Sequence, residues 1–491
     1  MMDNNMNNDN PNYDDRPVRP EPPKRPKNPR IKSNINDNND SANVQPTNQT
    51  QTYEAPAKRD PSAPPSAPDN KTKRTSGGKK NNRGKKKNNT VAVVIAVVLV
   101  LCVAVTVIIA ASGRNSKINK KIDEYMESSS AALTETTEPP APEKIQRTVS
   151  FAAVGDNIIY QAGFTDAKNR AVDGGRDYNF APLYTDIKPV IENADLAYIN
   201  QETQMAGEDY GYSDYPQFNS PRDLAYDLIE TGFDIVSTAN NHMLDMGTDG
   251  LESTINFWNS LDGVTLVGGY LSEEDFMNIR VIEKNDIKIA VIAFTYSTNG
   301  YTVKEGSDIY IPYIDDDDIK RQMEAANKVS DVQLVSIHWG IENDFEPSDD
   351  QKHTAQLLAD LGADAIIGAH PHVIQPVEWL TGKNGNKTLC IYSLGDLVAV
   401  MMRGSNMLGG LMTFDIVRDG NEFSIENPLF TPLVCHFGPS YYNCHIYYLK
   451  DFNDDLADTF ANVYGVTADK DDLADIVKDT VSPEFLPEEF K

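Results

Sequence analysis

From about residue 146 to about residue 450, short apolar runs alternate with stretches of helical periodicity, which is the pattern of an α/β domain. The runs at 148–155, 195–200, 234–239, 265–268, 288–295, 332–339, 364–369 and 389–394 predict strands. Between them, the spacing predicts helices over 221–232, 247–261, 315–329 and 349–362, with Asp315 to Asp318 suited to a helix N-terminus and Gly362 to a helix end. Later segments read as strand-rich. Residues 451–491 hold 12 acids and three lysines and place Leu456, Phe460 and Val463, then Leu473, Ile476 and Val477, at helical spacing. This acidic C-terminal segment is expected as short helices or a loosely attached tail.

The N-terminal part follows different rules. Residues 91–111 are uncharged and uniformly apolar, and as a helix would be roughly 30 Å long, the thickness of a hydrocarbon core. A spanning helix is expected there rather than a cleaved leader, because the run exceeds a usual signal-peptide apolar region of about 7–15 residues and follows a long polar segment. Residues 1–90, rich in Asn, Pro, Ser and Lys, bury too little apolar surface to offset chain entropy and are expected to be a disordered basic tail. Residues 112–145 end in a Ser/Thr/Glu/Pro stretch and read as a linker.

Charge sets the orientation. Residues 71–87 carry nine basic side chains and no acid, so the positive-inside bias places the N-terminus in the cytoplasm and residues 146–450 outside. Residues 1–90 hold 18 basic and 10 acidic side chains, leaving 27 basic and 63 acidic for the remainder, a net charge of −36. That balance argues against nucleic acid as a partner, since phosphate neutralisation needs a basic footprint. Four cysteines exclude a disulfide scaffold.

Polar residues recur where the predicted strands end. Asp156 closes the first, Glu202 the second, Asn240, Asn241 and His242 the third, and His338 and the pair His370 and His372 close two later ones. In open α/β sheets ligands bind outside the carboxyl ends of strands, so recurrence from distant positions points to one shared site. An Asp/Glu/Asn/His set without thiolates suits manganese, zinc or iron, one ion or two, better than calcium. Taken singly, each motif also has a structural reading: Asn240 and Asn241 could cap the helix near 247, His338 could bond within the core, and His-Pro-His could be a turn. No phosphate-binding G-x-x-x-x-G-K-[ST] loop, H-E-x-x-H helix or G-x-S-x-G elbow is present.

The motifs GDN (155–157), NQE (200–202), ANNHMLDMGTDGLEST (239–254), HWGIEN (338–343), GADAIIGAHPHVIQP (362–376) and YSLGDL (392–397) resemble, in order and spacing, the CapA family of poly-γ-glutamate capsule-biosynthesis proteins. That family is related to calcineurin-like metallophosphoesterases. The resemblance implies a four-layer α/β/β/α metallophosphoesterase-like sandwich with Asp156, Glu202, Asn241, His338, His370 and His372 as metal ligands and His242 as catalytic acid. Two positions depart from the phosphoesterase pattern: Ile158 stands where a histidine ligand is usual, and Glu202 replaces the bridging aspartate. Asp396 stands where the family more often has Asn and is expected to be a nearby structural substitution.

Two functions follow as expectations. One is a membrane-anchored extracytoplasmic factor in poly-γ-glutamate capsule synthesis, export or retention, with the membrane, the polymer and capsule synthase components as partners. Because a domain at −36 repels a polyanion, recognition would need a metal or a local basic patch. The other is a metal-dependent phosphoesterase on the outer face, or an inactive binding module of the same fold. Cys435 and Cys444 could form a disulfide, a metal site with His436 and His445, or simply core packing, and Trp339 is expected to line the pocket. On intact cells, external protease should digest residues 146–450 and spare residues 1–90; cleavage within 1–90 would reverse the topology.

Overall fold

A computed structural model describes residues 146–491 except 173–174, 402 and 466–467. The basic tail, the apolar run 91–111 and the linker lie outside the described residues. Among the described residues, no helix is long and apolar enough to cross a membrane.

The strands are β1 (Gln146–Asn157), β2 (Leu196–Gln201), β3 (Ile235–Ser237), β4 (Thr265–Val267), β5 (Arg280–Lys284), β6 (Ile287–Thr295), β7 (Val332–His338), β8 (Ala365–Ala369), β9 (Val377–Thr381), β10 (Lys387–Ile391), β11 (Asp396–Val398), β12 (Leu408–Asp419), β13 (Glu422–His436) and β14 (His445–Tyr448). They form two mixed sheets, ordered β14-β13-β12-β1-β2-β3-β4, with β11 also on β1, and β5-β6-β7-β8-β10-β9. Each of the eight expected strands is found within a few residues. Those not foreseen individually lie mostly after β8, where antiparallel pairing dominates, including the long β12–β13 hairpin.

Alternation along the central strands of the second sheet separates two apolar layers. Ile289, Val291, Val332, Leu334 and Ile367 face the first sheet, whereas Ile292, Phe294, Val335, Ile337 and Ile366 pack with Ile319, Met323, Ala355 and Leu358 of the outer helices Asp316–Val329 and Asp349–Asp360. Those helices start where side chains can satisfy free N–H groups. Asp315 accepts from the amides of Asp317 and Asp318, and Ser348 with Gln351 makes a reciprocal capping box. Between the sheets, Tyr198 Oη meets Ser336 Oγ at 2.6 Å, and Ser336 Oγ meets Ser237 Oγ at 2.9 Å, a buried polar chain joining β2, β7 and β3.

The C-terminal segment forms helices Asp454–Tyr464 and Lys470–Thr480. It is docked, not loose: Phe460, Leu473, Val477, Phe485, Leu486 and Phe490 are buried in the same apolar cluster as β1 and β2. Cys435 and Cys444 are free thiols, buried and 3.9 Å apart. His436 and His445 do not join them, since His436 Nε2 meets the Leu456 carbonyl and His445 meets the Pro182 carbonyl and Asp186.

An aspartate immediately precedes each of four inner strands, and its carboxylate accepts a backbone N–H of the neighbouring strand, in three cases that of the strand's second residue. Asp195 takes Ser150 (3.1 Å), Asp234 takes Ala197 (2.8 Å), Asp331 takes Lys288 (2.9 Å) and Asp364 takes Gln333 (2.8 Å). These clamps hold the amino ends of the parallel strands, opposite the ends that carry the candidate ligands. Burial pushes the Asp364 carboxyl up to about 7, so the folded chain holds a proton there that the unfolded chain releases near pH 4. This contribution is present below the unfolded value and lost as pH rises through about 7. In urea titrations, Asp364→Asn should therefore gain on wild type by about 1 kcal/mol or more between pH 5 and pH 8.

Candidate metal centre

Close strand approach sets the floor of the site. A Cβ on Gly155 would lie 2.0 Å from the Gly395 carbonyl oxygen, and one on Gly368 2.0 Å from that of Tyr392, so only glycine fits before Asp156 and before the histidine turn. Asp156 is fully buried; its Oδ1 accepts from Asn200 Nδ2 (2.7 Å) and its Oδ2 from the His370 amide (3.0 Å).

Glu202 leaves β2 into the same space and is 1% exposed, yet neither carboxylate oxygen has a hydrogen-bond partner. Three imidazole Nε2 atoms surround its Oε1: His338 at 3.8 Å, His242 at 3.9 Å and His372 at 3.9 Å. These separations are too long for hydrogen bonds and suit two ligands of one ion, with bonds of about 2.0–2.2 Å each. Burial, then the charge of Asp156, holds the Glu202 carboxyl well above the usual carboxylate range. His338 is pushed well below the usual imidazole range by burial and by its neighbour His370, which keeps it neutral as a ligand must be. For His372, burial opposes protonation but Asp396 and Glu202 outweigh it and hold the imidazole well above its usual range. An unpaired buried carboxylate ringed by imidazoles fits a bound divalent cation.

The structure brings all six expected ligands, and His242, to this one place. Three-residue sets with donor atoms within 4.8 Å of one another are Asp156–Glu202–His338, Glu202–His370–His372 and Asp156–His372–Asp396. Asn241 joins through Oδ1, 2.9 Å from His338 Nε2. Asn240 and Asn241 do not cap the following helix, Gly247–Asn259, whose N-cap is Met246 with no side-chain bond. Asn240 instead donates to the Gln201 carbonyl and accepts from the His242 amide, tying its loop to β2. His-Pro-His is a turn that also presents two candidate ligands: His370 and His372 have φ of 101° and 57°, in the left-handed region that L residues avoid. The Asn406 amide on the His372 carbonyl and the Asn343 N–H on the Pro371 carbonyl brace it.

Several participants were not anticipated. Asp245 accepts from His242 Nδ1 (2.7 Å) and from the Phe218 amide (2.7 Å), orienting the imidazole so that Nε2 faces Glu202. The i, i+3 spacing of His and Asp in NNHMLD was the only trace of this pair. Asn200, within NQE, fixes Asp156. Tyr296 covers His370, with ring centroids 4.4 Å apart. Asp396 is near the site, as expected: it is buried and its Oδ1 lies 3.0 Å from His372 Nδ1. Trp339 does not line the site; it is 2% exposed, stacks on Tyr392 and donates to that residue's carbonyl in the outer core.

Residues 150–401, half of the chain, match the family model described as bacterial capsule synthesis protein PGA_cap. The chain belongs to this family. It is 33% identical over 181 residues to the PGA biosynthesis protein CapA of Bacillus subtilis (strain 168), and 30% identical over 278 residues to the capsule biosynthesis protein CapA of Bacillus anthracis. Those matches cover 35% and 55% of this chain and 44% and 64% of the relatives, less than two thirds of either. A putative 5'-nucleotidase from Staphylococcus aureus, solved with α-ketoglutarate, is similar at 12% identity and a TM-score of 0.37, over 64% of this chain and 58% of that one. A likeness that weak says nothing about activity.

Metal binding has a direct readout. Saturating Mn²⁺ at about 100 times its Kd should stabilise the chelator-stripped protein by about 2.7 kcal/mol. The His370→Ala/His372→Ala double variant should lose this shift in melting temperature and the metal itself. His242→Ala should keep most of both, as its imidazole is held by Asp245; metal loss in that variant would make His242 a ligand.

Proposed function

We propose that this PGA_cap family chain is a membrane-anchored, extracytoplasmic factor in the synthesis, export or retention of poly-γ-glutamate, working through a buried divalent-metal centre. The observation that carries the metal part is the unpaired Glu202 carboxylate with three imidazoles 3.8–3.9 Å away. The polymer is supported by the family and by the capsule proteins it resembles, and the anchor by the apolar run with its basic flank. A metal ion also answers the charge objection, because it offers a short-range cation to a carboxylate polymer on a strongly acidic domain.

A bound divalent ion would polarise a phosphoryl or acyl oxygen and lower the pKa of water. The chain's own residues do the rest. Asp245 holds the proton on His242 Nδ1 and turns Nε2 inward, where a protonated imidazole can donate to a leaving oxygen or nitrogen. Asn241 and Asn200 set the rings and carboxylates around it through His338 and Asp156. Tyr296 packs over His370 and His338.

The second reading, a phosphoesterase of the outer face, is supported by the same oxygen and nitrogen ligand set, which serves either ester or amide chemistry. Deleting the gene should remove cell-bound poly-γ-glutamate, and the wild-type copy should restore it. Unchanged surface polymer, together with phosphodiester hydrolysis by the purified protein, would favour the second reading and sink the first. Whichever substrate is turned over, His242→Ala should lower the rate by about 10²–10⁴-fold with metal content retained.

A further inference from the structure

We propose that Asp396 is itself a metal ligand, completing with Asp156 and His372 a second cation subsite beside the one gathered on Glu202. The inference rests on the metal-centre reading and adds a residue and an ion to it. Strand β11 runs parallel to β1 with Asp396 in register with Asp156, so two carboxylates leave adjacent strands side by side. Both are buried, at 1% and 0% exposure. His372 Nδ1 lies 3.0 Å from Asp396 Oδ1 and 3.3 Å from Asp156 Oδ2.

The remaining oxygen, Asp396 Oδ2, is buried with no hydrogen-bond partner. A hydrogen bond from one imidazole accounts for one oxygen of one carboxylate. It leaves Asp396 Oδ2 unsatisfied beside the neighbouring Asp156 carboxylate, an arrangement that a cation compensates. Ile158, two residues beyond Asp156, lies in an apolar cluster with Phe218 and Ala399 and offers no donor atom. The two subsites do not compete for one imidazole nitrogen. Asp156, Glu202 and His338 form one set, while His372 turns Nδ1 to Asp396 and Asp156. Asp156 belongs to both sets, so its carboxylate would be shared between the two subsites.

The test counts ions on the full chain, solubilised in detergent, stripped with chelator and dialysed against Mn²⁺. Wild type should hold two Mn²⁺ per chain, with the electron paramagnetic resonance signature of a coupled pair. Asp396→Ala should hold one, uncoupled, and Asp396→Asn should bind the second ion at least about tenfold more weakly, having lost the charge. Melting in chelator checks that each variant folds, and the Asn variant, equal in size and still able to accept from His372, serves if the Ala variant does not. If Asp396 only orients His372, the Asn variant would hold both ions at wild-type affinity, and the proposal falls. A wild type with one ion that Asp396→Ala retains also overturns it while leaving the metal centre standing. A wild type that binds none overturns both.

Discussion

Glu202 places an unpaired carboxylate at the centre of the fold, and the surrounding structure is arranged to tolerate it. Removing a carboxylate from water without hydrogen bonds is among the costliest things a protein can do, and such a group usually takes a proton or a partner. Here the groups nearby are imidazoles just beyond hydrogen-bond reach, themselves held by Asn241, Asp245 and Asp396. The left-handed backbone at His370 and His372 adds strain to the same spot. Local cost concentrated where five strand ends meet is what a preformed binding site looks like, and its natural compensation is positive charge.

The two ends of the parallel strands are handled in opposite ways. At the amino ends, aspartates 195, 234, 331 and 364 each satisfy a neighbouring backbone N–H, so charge there serves to hold adjacent strands together. At the carboxyl ends, both Glu202 oxygens and Asp396 Oδ2 are left without a hydrogen-bond donor. Acidic side chains thus perform two tasks, and the distinction lies in whether each carboxylate oxygen has a donor within reach. The outer helices and the docked C-terminal segment are apolar supports for this frame, and their burial is what lets the strand ends stay rigid enough to present ligands.

Much of this was legible in the linear chain. The eight expected strands and the four main helices follow from periodicity and end signals, because period-two and period-3.6 patterns are local properties that burial imposes on the sequence itself. The convergence of the candidate ligands was legible too, since residues placed just after parallel strands are delivered to a common edge by topology alone. Capping at Asp315 and Ser348 belongs to the same class, being decided within four residues.

Only the tertiary structure decided the remainder, because those facts depend on which strands become neighbours. Asp396 read as a nearby structural substitution, and only the pairing of β11 with β1 showed that it stands against Asp156 and His372. Trp339 follows the candidate ligand His338 in sequence, yet strand alternation sends its ring into the outer core, against Tyr392. Asn240 and Asn241 had the composition of helix caps, but one was taken by the Gln201 carbonyl and the other by His338. Cys435 and Cys444 lie nine positions apart in sequence and within 3.9 Å in space, with their neighbouring histidines turned to other partners. In each case the residue type announced a capacity to bond, and the long-range pairing of strands chose the partner.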